Sequence, residues 1–286
     1  MKIEKVAVVG VGLMGSGIAE IAAKAGCSVL IRELNEELLD AGMERVRGSM
    51  DRAVSKQKLT QEEAQSAIGR ITPTTKLQDF ADSDLVVEAI IENPQQKKEL
   101  FQVLDGICKP ETIFSTNTSS CSVTDLMAVT KRPERVAGLH FFNPVPVMKL
   151  VEIVRTIATS DEVVASLQEF CGRVGKTAIL AQDRSGFIVN RLLVPYLLDA
   201  VRVLEDGFGS AEDIDKGMEL GCGYPMGPFR LLDLVGLDTT LYISEIMFDE
   251  YREKRFAAPP LLRRMVAAGR NGRKSGRGFY DYSGGK

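Results

Sequence analysis

At 286 residues the chain has room for roughly two domains of the usual size of about 150 residues, which rules out a small stapled scaffold. Its 44% hydrophobic and 26% charged residues exclude wholesale disorder, and 36 Lys and Arg against 39 Asp and Glu, a formal charge of −3, exclude a protein-wide positive field for nucleic acid or an anionic membrane. Five widely spaced cysteines with no CxxC pair point to a reducing cytoplasm rather than a zinc or disulfide framework, and no apolar run approaches the ~18 residues of a membrane span or leads to a signal-peptide cleavage site.

Residues 5–9, Lys-Val-Ala-Val-Val, form a short β-branched run that breaks at Gly10. Leu13, Met14, Ile18, Ile21, Ala22 and Ala25 then recur at helical spacing, so the start reads strand, turn, helix. Gly26 closes that helix, residues 28–31 read as a second strand, and Asn35 caps a charged helix running past Arg52. Further strand-like runs occupy residues 85–87, 113–115, 136–139, 150–153 and 177–180, with helical segments between most of them. This alternation predicts an α/β fold with a largely parallel sheet. After about residue 183 the pattern becomes helical, at 187–203, 211–220, 229–235, 239–251 and 260–268, with Pro195 a candidate kink. The expected division is residues 1–183 and an all-helical domain, 184–286, with a cleft between them as the default ligand site.

Gly10-Val11-Gly12-Leu13-Met14-Gly15 is a GxGxxG between a predicted strand and a predicted helix, and acidic Glu33 ends the next strand 18 residues after Gly15. Gly10 permits the tight turn, Gly12 lets a pyrophosphate approach the helix N-terminus, and Gly15 lets helix and strand pack closely. Glu33 suits an adenosine ribose hydroxyl and repels a 2′-phosphate, which favours NAD. Neighbouring Arg32 could reach such a phosphate, so NADP stays open.

Seven stretches then carry a resemblance over essentially the whole chain: VVGVGLMGSG (8–17), EAIIENPQQK (88–97), STNTSS (115–120), GLHFFNPVP (138–146), DRSGFIVNR (183–191), GYPMGPFRLLDLVG (223–236) and GRKSGRGFYDY (272–282). In their order and spacing the chain resembles the 3-hydroxyacyl-CoA dehydrogenase family, and within it the short bacterial 3-hydroxybutyryl-CoA dehydrogenases. The resemblance implies a Rossmann-type N-terminal domain, a helical C-terminal domain that forms a homodimer, and oxidation of an (S)-3-hydroxyacyl-CoA by NAD. It also implies His140 as catalytic base, Glu152 as its orienting carboxylate, and Ser119 and Asn190 as groups holding substrate oxygens. Glu92, Lys97, Asn117, Asn143 and Lys274 join the glycine loop and Glu33 on the cofactor side, and Lys56 and Arg52 are implied for the acyl-CoA.

The residue types suit that chemistry. Oxidising a secondary alcohol needs a base of near-neutral pKa at the hydroxyl, and His140 is the only histidine in the chain; taken alone, it equally fits a core histidine bonded to backbone. Glu152 interrupts an apolar strand, where a buried carboxylate needs a partner, although an alternating strand would turn it to solvent. Asn190 falls on an apolar helical stripe with Leu193, Val194, Leu197 and Val201, where a substrate oxygen or a backbone carbonyl would satisfy it. Ser119 also fits a cap for a helix starting near Ser122. Arg45, Arg47, Arg52, Lys56 and Lys58 form a basic stretch suited to coenzyme A phosphates or to a solvated helix face, and Phe141 and Phe142 read as core packing. A dehydrogenase of free hydroxy or sugar acids and a crystallin-like structural protein are the competing functions. Acyl-chain length, direction and pathway stay open.

Overall fold

Lys5–Val9 form β1, and the burial of Val6, Ala7, Val8 and Val9 is what a continuous apolar run requires of a central parallel strand covered on both faces. The structure, a computed structural model, describes residues 1–284; the end of the predicted 184–286 domain therefore lies outside the described residues. After β1 come α1 (Leu13–Lys24), β2 (Ser28–Arg32), α2 (Glu36–Ser55), α3 (Gln61–Ile68), β3 (Ile71–Thr74), β4 (Leu85–Glu88), α4 (Pro94–Ile107), β5 (Ile113–Thr116), α5 (Val123–Met127), β6 (Val136–Phe141), β7 (Leu150–Arg155), α6 (Asp161–Arg173) and β8 (Thr177–Gln182). The strands form one sheet in the order β3-β2-β1-β4-β5-β6-β7-β8. All neighbours run parallel except β6 and β7. The order of the first six is that of a Rossmann fold, whose strand sequence reverses direction between β1 and β4 and opens a crevice at their carboxyl ends.

Helix starts follow local chemistry. Asn35 caps α2 by accepting a hydrogen bond from Leu38 N at 2.9 Å, and Thr60 with Glu63 forms a capping box on α3. Ile18, Ile21 and Ala22 of α1 pack into a core shared with Val6, Val8, Ile31 and Phe170. Neither α3 nor β3 is among the elements expected from the sequence. Strand β3 is Ile-Thr-Pro-Thr, and Pro73 is tolerated because β3 lies at the sheet edge, where one side of the strand forms no ladder.

The chain divides into two compact units, Met1–Arg184 and a second beginning at Ser185. The second is helical: α7 (Val189–Glu205), which runs unbroken through Pro195, α8 (Ala211–Cys222), α9 (Pro228–Val235), α10 (Leu237–Tyr251) and α11 (Pro260–Ala267). Leu197, Val201, Phe229, Leu232, Met247, Phe256 and Leu262 form its core. Two buried carboxylates stitch it together. Asp215 accepts from Phe229 N, Arg230 N and Tyr280 Oη, capping α9 from a distance, and Asp233 accepts from Phe279 N and Tyr280 N at 2.9 Å each. Those bonds dock the 272–282 stretch onto α9. No helix among the described residues is long and apolar enough to cross a membrane.

Candidate active site

The glycine loop occupies the turn at the carboxyl end of β1. Gly10 has φ +86°, and a Cβ there would lie 2.6 Å from the Ala89 carbonyl oxygen; a Cβ on Gly15 would lie 1.8 Å from Gly10 O. Each position is closed to a side chain for its own reason, one by backbone conformation and one by helix–turn packing. Gly12 is the N-cap of α1, with no side-chain cap and nothing within 4 Å of the place a Cβ would take. The helix N-terminus is thus open to an anion. Leu13 is exposed at the rim and Met14 packs on the core. The carboxylate of Glu33 accepts from Val11 N at 2.5 Å and Leu34 N at 3.3 Å, which fixes it beside the loop. Arg32 turns elsewhere: its Nε donates to Thr75 O at 3.3 Å. A diphosphate over Gly12 with a ribose against Glu33 fits these residues.

Three strands along the sheet from β1, antiparallel pairing sets His140 of β6 directly opposite Glu152 of β7. His140 Nδ1 lies 2.7 Å from Glu152 Oε2, with the carboxylate fully buried and the histidine nearly so. Glu152 therefore does not alternate to solvent. Because an ionised carboxylate only accepts, this bond favours the imidazole tautomer with its proton on Nδ1. The Phe142 ring tilts against the imidazole, centroids 4.6 Å apart, so only Phe141 of the aromatic pair is buried core. The Asn143–Pro144 peptide that follows is cis, and Asn143 is exposed.

Asn117, Thr118, Ser119 and Ser120 form the turn after β5. Asn117 Oδ1 accepts from Phe141 N at 2.9 Å, tying this turn to the residue after His140. Ser119 is not the helix cap; Ser122 fills that role by accepting from Asp125 N, and Asp183 adds bonds from Val123 N and Thr124 N. Below the turn, Lys97 of α4 is 1% exposed, with its ammonium 2.7 and 2.8 Å from the two oxygens of Glu88 and 3.0 Å from Glu92. Burial alone would lower the Lys97 pKa, but the two carboxylates outweigh it and the net shift is upward. Burial likewise pushes Glu92 up, and Lys97 with the Thr118 and Ser120 hydroxyls brings it below the ordinary carboxylate value. Glu88 also accepts from Thr116 Oγ1 and Ile90 N.

Residues 5–184 match the 3-hydroxyacyl-CoA dehydrogenase NAD binding domain, and residues 186–282 match the C-terminal domain of 3-hydroxyacyl-CoA dehydrogenase. The chain belongs to the 3-hydroxyacyl-CoA dehydrogenase family. Over 282 residues, 98% of this chain and 99% of the relative, it is 51% identical to a 3-hydroxybutyryl-CoA dehydrogenase of Mycobacterium tuberculosis. Among solved structures it is similar to M. tuberculosis FadB2, with a TM-score of 0.97 and 50% identity over 99% of this chain and all of that one. It is also similar to the (S)-3-hydroxybutyryl-CoA dehydrogenase PaaH1 of Ralstonia eutropha, with a TM-score of 0.94 and 42% identity over 98% and 99% of the two chains. The first unit is the family's NAD-binding domain, and the protein is an NAD-dependent oxidoreductase.

Other residues singled out from the sequence of this dehydrogenase are dispersed. Asn190 is the second residue of α7, half-buried at the end of a stripe whose Val194, Leu197 and Val201 are core. Its neighbour Arg191 stacks 3.9 Å from the Tyr251 ring centre, and Tyr251 Oη donates to Ser185 O, which secures that first turn. Lys274 is paired with Asp238 at 2.7 Å within the helical unit. Arg52 and Lys56 are exposed at the C-terminal end of α2, while Arg45 of the same stretch reaches Val11 O at 3.4 Å. Glu88, Thr116, Thr118 and Ser120 carry no signal in the sequence that singles them out. Each is an ordinary strand-end or turn residue whose importance depends on a neighbour brought in by folding.

Proposed function

We propose that this dehydrogenase interconverts a short-chain (S)-3-hydroxyacyl-CoA, 3-hydroxybutyryl-CoA, with the 3-ketoacyl-CoA acetoacetyl-CoA, His140 acting as general acid and base and Glu152 orienting it. The observation carrying this reading is the 2.7 Å bond between the only histidine and a fully buried carboxylate. In the oxidative direction Nε2 takes the hydroxyl proton, and the Glu152 charge stabilises the resulting imidazolium. In reduction the imidazolium returns that proton to the ketone oxygen. NAD, when bound, supplies the hydride acceptor. The relatives' names support the acyl-CoA class.

Within this proposal Ser119 and Asn190 hold the substrate oxygens. Gly10, Gly12, Leu13, Met14, Gly15, Glu33, Glu92, Lys97, Asn117, Asn143 and Lys274 are the cofactor-side residues. Lys56 and Arg52 meet the coenzyme A phosphates. We also propose a homodimer through the helical unit, supported by Leu192, Phe208, Leu220 and Leu234 standing 68, 81, 85 and 50% exposed there; a single-chain mass by light scattering at micromolar concentration would contradict it. Five free cysteines support a reducing cytoplasm as the compartment; labelling in a non-reducing compartment would oppose it.

NADH oxidation is the test. The enzyme is expected to turn over acetoacetyl-CoA, to slow as the 3-ketoacyl chain lengthens, and to leave free acetoacetate untouched. Preference for the free acid would move the protein to the hydroxy-acid class.

A further inference from the structure

We propose that Thr118 and Ser120 are positioning residues of the dehydrogenase reaction, holding the turn that presents Ser119 by a common grip on the Glu92 carboxylate. The inference rests on the proposed contact of Ser119 with a substrate oxygen. Glu92 Oε1 accepts from both hydroxyls, Thr118 Oγ1 and Ser120 Oγ, the latter at 3.0 Å. These residues flank Ser119 in sequence. Both are buried, 1% and 5% exposed, while Ser119 between them is half-buried. The alternation sends 118 and 120 into the protein and leaves 119 at the surface of the turn.

The anchor is itself immobilised. Glu92 Oε2 lies 3.0 Å from the Lys97 ammonium, whose remaining short contacts go to Glu88 at the end of β4. The three protons of Lys97 meet three carboxylate oxygens in a buried place, so its charge works on Glu92 and Glu88. Thr118 Oγ1 passes the restraint on by accepting from Ser120 N at 3.2 Å and Cys121 N at 2.8 Å. At the other end of the turn Asn117 binds Phe141 N. Ser119 is thereby held in a fixed relation to the strand end carrying His140. Small misplacement of such a group costs rate even when binding survives.

A coupling experiment separates positioning from bulk stability. Ser120→Ala removes one grip and spares the Thr118 bonds to backbone; Thr118→Val removes the other, and Thr118→Ser restores it. Each is measured alone and in a Ser119→Ala background, reading kcat for acetoacetyl-CoA reduction and Kd for NADH. In the native background Ser120→Ala and Thr118→Val are expected to lower kcat about 10- to 100-fold with NADH binding unchanged. Thr118→Ser should stay close to wild type. In the Ser119→Ala background the same changes should cost no more than about twofold, because the group they position is gone. Equal losses in both backgrounds, or no loss in the native one, would overturn the proposal. Ser120→Ala decides the matter even if Thr118→Val does not fold. Should Ser119→Ala alone leave kcat intact, the substrate role of Ser119 fails on its own evidence and the positioning role falls with it.

Discussion

The hydrogen bond that Glu152 accepts from His140 favours the tautomer protonated on Nδ1, which on the proposed mechanism leaves Nε2 to move the proton. Replacing Glu152 with Gln keeps an acceptor oxygen of the same shape and removes the charge that stabilises imidazolium. Glu152→Gln is expected to lower kcat by less than the about 10²–10⁴-fold that loss of a general base costs, and to change the pH–rate profile. An unchanged profile would contradict the pairing. On the cofactor side, Glu33 is held against Val11 N, and we propose that it sets an NAD preference. Glu33→Ser should weaken NAD and improve NADP relative to it, since a ribose partner and a repulsive charge vanish together; a wild type already favouring NADPH in paired kinetic assays would refute this. His140 and Glu152 were marked in the sequence by the family resemblance; as residues alone, a unique imidazole and a carboxylate in an apolar strand, each also fitted a bland structural role. Their register was not legible, because a cross-strand pair depends on how two segments align. The Phe142 contact with the imidazole is local in sequence and depends instead on how the chain turns as it leaves β6.

At the scale of elements, the 88–97 segment shows how a motif can be read without its mechanics. Lys97 and Glu92 stood out as family positions, yet Glu88, the other half of the ion pair, ends β4 as an inconspicuous residue of an apolar strand. Removing Lys97 leaves Glu88 buried without its cation, so Lys97→Met should destabilise the fold by about 3–5 kcal/mol in urea titration; a change under about 1 kcal/mol would show the pair to be dispensable. The pH dependence has a definite sign. Glu92 is shifted below 4.5, so its contribution is complete above that value and is lost as pH falls through the lower folded-state pKa. Lys97 is shifted above 10.5, so its contribution is complete below that value and is lost as pH rises through the higher one. The deficit of Lys97→Met should therefore be flat across the interval between and narrow at both ends. The glycine loop was legible because helix packing and a positive φ each demand glycine, whereas β3 was obscured by Pro73. The basic end of α2 is the element whose role the fold leaves to function. The double variant Lys56→Ala and Arg52→Ala should raise KM for acetoacetyl-CoA with kcat little changed, and flatten the rise of KM with ionic strength, because charges on distant phosphates act alike in ground and transition states. Equal KM values and salt slopes would return the stretch to solvent.

For the whole molecule, alternating strand and helix patterns followed by helices alone gave the two-part architecture, since each period reflects which face must be buried. The sheet order could not be read this way, because strand neighbours are chosen by connections that leave no periodic mark. Nor could the linked carboxylates Asp215 and Asp233, which join segments far apart in sequence. On the proposed function the scales meet in one division of labour, with one imidazole moving the proton and the glycine loop separately holding the cofactor. Kinetics of His140→Ala test that most directly, with acetoacetyl-CoA reduction and NADH binding measured on the same folded preparation. The expected result is a fall in kcat of about 10²–10⁴-fold with NADH affinity unchanged; near-native kcat in the folded variant would contradict it.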